Sequence, residues 1–223
     1  IEPRACLGHY DRMVDRYTIY TTLQHGNPYR MNLAKVMNVP ESKVRVVSGD
    51  VGGSYGMKSS VYNENILVLW ASVITGRAVK WTSDRTEAFQ SDSQGRDNVT
   101  TAELALDGDG RFLGMRVKII GNLGAYVTQA AGGPLTVNLG TLAGVYTTPA
   151  IHVDVTAVFS NTTLTRPYRG AGRPEAAFII ERLVDLAADR MGIDPVELRR
   201  RNTISSIDMP FQTGLTFKYD CGA

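Results

Sequence analysis

Cysteine is nearly absent from this chain: 223 residues hold two, Cys6 and Cys221, near opposite ends. That scarcity excludes a disulfide-built secreted scaffold and any Cys-x-x-Cys metal or redox motif. It also leaves too few thiolates for an iron–sulfur cluster. Histidine is scarce as well, and His9, His25 and His152 follow no metal-ligand spacing. A surplus of charge is missing: 24 Lys plus Arg against 22 Asp plus Glu leaves +2. No basic block marks a nucleic-acid or membrane-surface tract. The longest apolar run, 66–74, is broken by Ser72 and falls far short of the ~20 residues of a membrane span. The Gly-x-Ser-x-Gly elbow of serine hydrolases is also lacking.

What remains is an ordinary globular composition, 43% hydrophobic and 21% charged, which excludes a disordered chain. The length accommodates one large domain or two small ones. The chain opens on Ile-Glu-Pro-Arg with no charged leader and stops at Asp220-Cys-Gly-Ala223 with no terminal cap. We read it as a piece of a longer cytoplasmic polypeptide, with room for two subdomains.

Local patterns predict most elements. Residues 17–23 are β-branched and aromatic, the signature of a strand. Asn27-Pro28 opens a short helix that ends before Pro40, and 44–47 forms a second strand. Ile66, Leu67, Trp70, Ala71 and Ile74 recur at helical spacing, and Gly76 is a natural stop. A strand follows at 78–81. Residues 99–106 and 112–120 form a hairpin about Asp107-Gly-Asp-Gly110, read as a plain turn because no Glu closes a calcium loop. Residues 121–144 are glycine-rich and irregular, and 151–159 alternate as a strand. The clearest helix is 174–191, with Ala176, Ile180, Leu183, Val184, Ala187 and Met191 on one face and Gly192 as its stop. A short basic helix starts at Asp194-Pro195. No internal repeat is visible. The fold class expected is α+β, a mixed sheet packed with helices.

Two glycine-rich turns each follow a strand and precede a helix: Gly52-Gly-Ser-Tyr-Gly-Met-Lys58 and Arg169-Gly-Ala-Gly-Arg-Pro174. Such turns let main-chain N–H groups approach a ligand closely. Neither fits a P-loop or a dinucleotide fingerprint. Taken alone, each also reads as a structural turn, so a non-enzymatic α+β binding module is the rival interpretation.

In context, Asp50-Val-Gly-Gly-Ser-Tyr-Gly-Met-Lys58 resembles the Gly-Gly-x-Phe-Gly-x-Lys loop of the molybdenum hydroxylases, the xanthine dehydrogenase, aldehyde oxidase and carbon monoxide dehydrogenase large-subunit family. Tyr168-Arg-Gly-Ala-Gly-Arg-Pro-Glu175 is similar to that family's second cofactor loop. Glu2-Pro-Arg4, Thr22-Leu-Gln24 and Asp194-Pro-Val-Glu-Leu-Arg-Arg-Arg-Asn202 agree in order. The resemblance implies the first half of the molybdopterin-binding region, with Gln24, Gly52, Gly53, Tyr55, Gly56, Arg169 and Gly170 against the cofactor. It implies that the metal is held by the pterin dithiolene, so no protein metal ligand is expected. The catalytic general-base glutamate is implied to lie in a C-terminal half outside this chain, and iron–sulfur clusters and FAD on other domains or subunits. The implied reaction is hydroxylation with water as oxygen source. Ser59 stands where xanthine-oxidising members carry a glutamate, and the spacing puts Val137 where they carry a substrate arginine. Gly170 stands where carbon monoxide dehydrogenases carry a copper-binding cysteine. The implied substrates are therefore aldehydes or N-heterocycles, and the isolated piece is expected to hold no molybdenum.

Overall fold

The computed structural model describes residues 2–128, 132–136 and 139–220. Cys221 and Val137, both named above, lie outside them. The chain divides into two compact units, Ile1–Ser93 and Gln94–Ala223.

The first unit opens with a hairpin, β1 (Ala5–Asp11) and β2 (Arg16–Thr21). Helix α1 (Gly26–Met37) crosses back to β3 (Val44–Val47), which pairs parallel with β2. Helix α2 (Asn63–Thr75) then returns the chain to β4 (Val79–Thr82), antiparallel to β1 on its far side. The strand order is β3-β2-β1-β4, and helix α3 (Arg85–Ser91) closes the unit. Asn38 and Gly76 end α1 and α2 in the left-handed conformation, with cap N–H groups bonded back to Ala34 and Ser72 carbonyls. Cys6, Ile19, Tyr29, Leu33, Val44, Val68 and Leu69 form the core.

Two sequence expectations need correction here. Strand β1 was not foreseen, because Gly8 interrupts its alternation; Gly8 is there because α2 lies against it, and a Cβ would sit 2.8 Å from the Leu69 nitrogen. The face of α2 also differs from the periodic set. The helix buries Asn65, Val68, Leu69 and Ser72, while Leu67, Trp70 and Ile74 are exposed. Apolar residues circle most of this helix, so periodicity alone does not choose a side.

Buried charge ties the unit together. The Arg4 side chain, 6% exposed, reaches Glu64 at 2.8 Å and Asp92 at 2.5 Å and stacks over Tyr62, 3.7 Å from the ring centroid. Burial works against its charge, but the two carboxylates more than compensate and raise its pKa.

The second unit repeats part of this plan. Strands β5 (Asn98–Leu106) and β6 (Phe112–Asn122) form the expected hairpin. Asp107 Oδ1 accepts from the Asp109 and Arg111 N–H groups, which makes the Asp-Gly-Asp-Gly stretch a self-bonded turn. Helix α4 (Gly133–Thr136) and a 3-10 turn lead to β7 (Ile151–Val158), parallel to β6. Helix α5 (Arg173–Met191) covers one face of the order β5-β6-β7. Its buried residues include Ala176, Ile180, Val184 and Ala187, four of the face the sequence marked; Leu183 is half-buried. Helix α6 (Pro195–Asn202) is capped by Asp194, whose carboxylate accepts from Val196 and Glu197 N–H. A small hairpin, β8 (Phe211–Gln212) with β9 (Lys218–Tyr219), ends the unit. No sequence repeat relates the units, yet both follow hairpin, crossover, parallel strand, covering helix. The architecture is α+β, as expected.

Candidate functional site

The first glycine turn is held from below. Lys58, with no exposed side-chain surface, places its ammonium 2.9 Å from Glu2 Oε2. The same carboxylate oxygen accepts from the Gly52 N–H at 3.0 Å, and the Glu2 N–H donates to the Gly52 carbonyl at 3.0 Å. The hydrogen bond from Lys58 holds the Glu2 carboxyl below its ordinary pKa; partial burial pulls the other way, and the Gly52 bond helps. A short N-terminal segment is thus pinned to the loop by charge and main chain together.

The turn itself is left-handed at three points: Gly53 (φ 93°), Tyr55 (φ 55°) and Gly56 (φ 107°). Tyr55 is the costly one, since a Cβ disfavours that region. The Tyr55 ring folds back across Gly53, where a Cβ would lie 2.8 Å from the ring. Tyr55 as a whole is 42% exposed.

Gln24 meets this loop directly. It follows β2 just before α1 and is exposed. Its N–H donates to the Lys58 carbonyl at 3.1 Å. The Ser54 hydroxyl donates to Gln24 Oε1 at 2.7 Å and accepts from the Lys58 N–H at 3.2 Å. One serine therefore joins the carboxamide to the turn through Oε1, a contact in which Nε2 takes no part. Of the residues named from sequence, Gln24, Gly52, Gly53, Tyr55 and Gly56 come together here. Glu2, Ser54 and Lys58 support them; Glu2 and Lys58 lay in quoted motifs, but their pairing is invisible in one dimension.

Arg169 and Gly170 belong to the second unit and are both exposed. Gly170, Ala171 and Gly172 are consecutively left-handed (φ 92°, 48° and 99°), and Gly172 is the N-cap of α5. A Cβ at Gly170 would fall 2.5 Å from Pro174, so the turn into the helix requires glycine there. Arg96 braces this turn: its guanidinium donates to the Arg169 carbonyl, stacks 4.6 Å from the Tyr168 ring centroid and pairs with Glu175 at 3.5 Å. Nothing in the sequence singles Arg96 out, because its partners lie over 70 positions away.

Among the described residues no group of three or more His, Cys, Asp or Glu could hold a metal ion, and no helix is long and apolar enough to cross a membrane. Cys6 is a buried free thiol whose pKa burial pushes up to about 11.

Known proteins match this chain along its whole length. The gamma subunit of the 6-hydroxypseudooxynicotine dehydrogenase complex of Paenarthrobacter nicotinovorans is 39% identical over 99% of the chain, and the carbon monoxide dehydrogenase large chain of Hydrogenophaga pseudoflava 34% identical over 100%. The crystal structure of quinoline 2-oxidoreductase from Pseudomonas putida 86 superposes with a TM-score of 0.92 over 98% of the chain at 32% identity. In each case the chain spans 28% of the relative's length. The family model of the molybdopterin cofactor-binding domain matches residues 1–203. With glycine turns, Gln24 and fold in agreement over that span, the chain belongs to the molybdopterin cofactor-binding domain family of the molybdenum hydroxylases.

Proposed function

We propose that this chain forms the first part of the molybdopterin-binding region of a large subunit that hydroxylates aldehydes or N-heterocycles with water as oxygen source. The observation that carries this reading is the Ser54–Gln24 hydrogen bond, which fixes an exposed carboxamide at a glycine turn within one unit. The residues fit the group. A carboxamide with its Nε2 donors unengaged by Ser54, main chain at positive φ and an exposed guanidinium suit a ligand rich in oxygen and nitrogen. When bound, molybdopterin supplies a redox-active metal, held by its own dithiolene, at which an electron-poor carbon is hydroxylated.

In this reading Gln24 donates to an oxygen of the group. Gly52, Gly53 and Gly56 bring main chain against it, and the Tyr55 ring limits water access. Arg169 and Gly170 contact the pterin side. The general-base glutamate belongs to the remainder of the large subunit, and electrons leave through iron–sulfur and FAD domains or subunits. Two features favour N-heterocycles or aldehydes. Relatives carry names that include nicotine 6-hydroxylase and quinoline 2-oxidoreductase. Gly170 offers no thiolate for a copper ion.

The test is Gln24→Ala in the full-length large subunit. Turnover should fall about 10- to 100-fold with molybdenum content and melting temperature retained. Unchanged turnover would remove Gln24 from the site.

A further inference from the structure

The two units share a plan, and among the described residues the second lacks its last part. In the first, strand order is β3-β2-β1-β4: the fourth strand follows the covering helix and lies antiparallel to β1. Val79 and Trp81 of β4 point into the core beneath α2, packed against its cluster. In the second unit, β5, β6, β7 and α5 occupy the places of β1, β2, β3 and α2. Among the described residues, no strand pairs with β5 on the side away from β6.

That side is not filled by side chains. A groove of about 350 Å³ runs there, between Asn98, Thr100 and Ala102 of β5 and Phe178, Ile179 and Leu183 of α5. Its β5 wall is small and half-buried, whereas Phe178 overhangs it 70% exposed. Glu175, also at the groove, has a buried Oε2 that makes no hydrogen bond, only the 3.5 Å ion pair with Arg96. An open nine-residue strand edge and an overhanging aromatic together describe a slot shaped for backbone.

We infer that a strand from the part of the same large subunit outside residues 1–223 adds antiparallel to β5 beneath α5. The inference depends on the reading that the chain is part of such a subunit, of which it spans 28% in the relatives. The internal precedent selects this occupant. In the first unit the equivalent edge is filled by a strand of the same polypeptide, with alternate apolar residues turned to the helix. The incoming strand should likewise present alternate β-branched or aromatic residues to Ile179 and Leu183 and cover Phe178.

Residue-resolved hydrogen exchange decides it, comparing the 223-residue chain with the full-length large subunit. In the full subunit, alternate amides of 98–104, those turned away from β6, should exchange at least ~100-fold more slowly than in the chain alone. Phe178→Asp in the full subunit should restore at least tenfold faster exchange at those amides and leave molybdenum content unchanged. Equal exchange in the two wild-type proteins overturns the inference, as does Phe178→Asp without effect on β5. Protection in the 223-residue chain that grows with its concentration also overturns it, since a second copy would then fill the edge. None of these readouts is turnover, so they separate this inference from the role of Gln24.

Discussion

The Lys58 ammonium, with no exposed side-chain surface, lies 2.9 Å from the Glu2 carboxylate, and together with the Glu2–Gly52 hydrogen bonds it fastens Glu2 to the glycine turn. The pair is asymmetric, since Glu2 keeps 39% of its side chain in solvent. Removing the carboxylate strands a charge with no access to water, whereas removing the lysine leaves a carboxylate that water can solvate.

Glu2→Ala should therefore destabilise more than Lys58→Met, by about 1–3 kcal/mol against less than about 1. Urea unfolding of the two variants checks the order. Equal midpoints would show that Lys58 finds another partner.

The same pair sets an acid dependence. The Glu2 pKa is lower in the folded chain than its ordinary 4.5. Its contribution is therefore complete above that value and is lost as pH falls through the depressed folded value. Urea midpoints measured from pH 6 downward should decline below about pH 4.5, and Glu2→Gln should flatten part of that decline.

Glycine substitutions separate packing from conformation. Gly8→Ala puts a methyl 2.8 Å from α2 main chain and should cost about 1–3 kcal/mol. Gly26→Ala, at the start of α1 with nothing within 4 Å, should be neutral or stabilising by up to about 1 kcal/mol. Thermal unfolding of both variants tests the close approach of β1 to α2.

Ser54→Ala should act on function more than on fold. It removes the donor that holds Gln24 Oε1 and leaves the Gln24 N–H bond to Lys58 intact. In the full-length subunit it should lower turnover about tenfold with a melting temperature within a few degrees of wild type. A double variant that loses no more turnover than Gln24→Ala alone would show that the serine acts through the glutamine.

Arg96→Ala should loosen the second turn. Three of its contacts, to the Arg169 carbonyl, the Tyr168 ring and Glu175, are lost together. Faster amide exchange at residues 170–173, with little change in α5 beyond its first turn, is the expected signature.

Much of this protein was legible in one dimension, because the relevant physics is local. Gly76 and Gly192 end helices where left-handed backbone is needed, Pro174 and Pro195 start them, and β-branched runs such as 44–47 form strands. The two glycine turns stood out for the same reason, and their order with Gln24 carried the family. Long-range contacts were not legible. Nothing near Arg96 announces Tyr168 or Glu175, and nothing near Lys58 announces that its ammonium is sealed against Glu2.

Sequence by itself determined most of the elements and the two glycine turns, since each depends on backbone preferences spanning a few positions; the candidate ligand-facing residues came from the family resemblance instead. Only tertiary structure decided which face of α2 is buried, because a helix apolar on most sides takes its orientation from its neighbour, here the bare main chain of Gly8. Tertiary structure alone also revealed that two units without sequence repetition share a strand order, and that among the described residues β5 keeps an open edge where β1 does not. Strand pairing is made by main-chain groups common to every residue, so the sequence carries little trace of which edges meet.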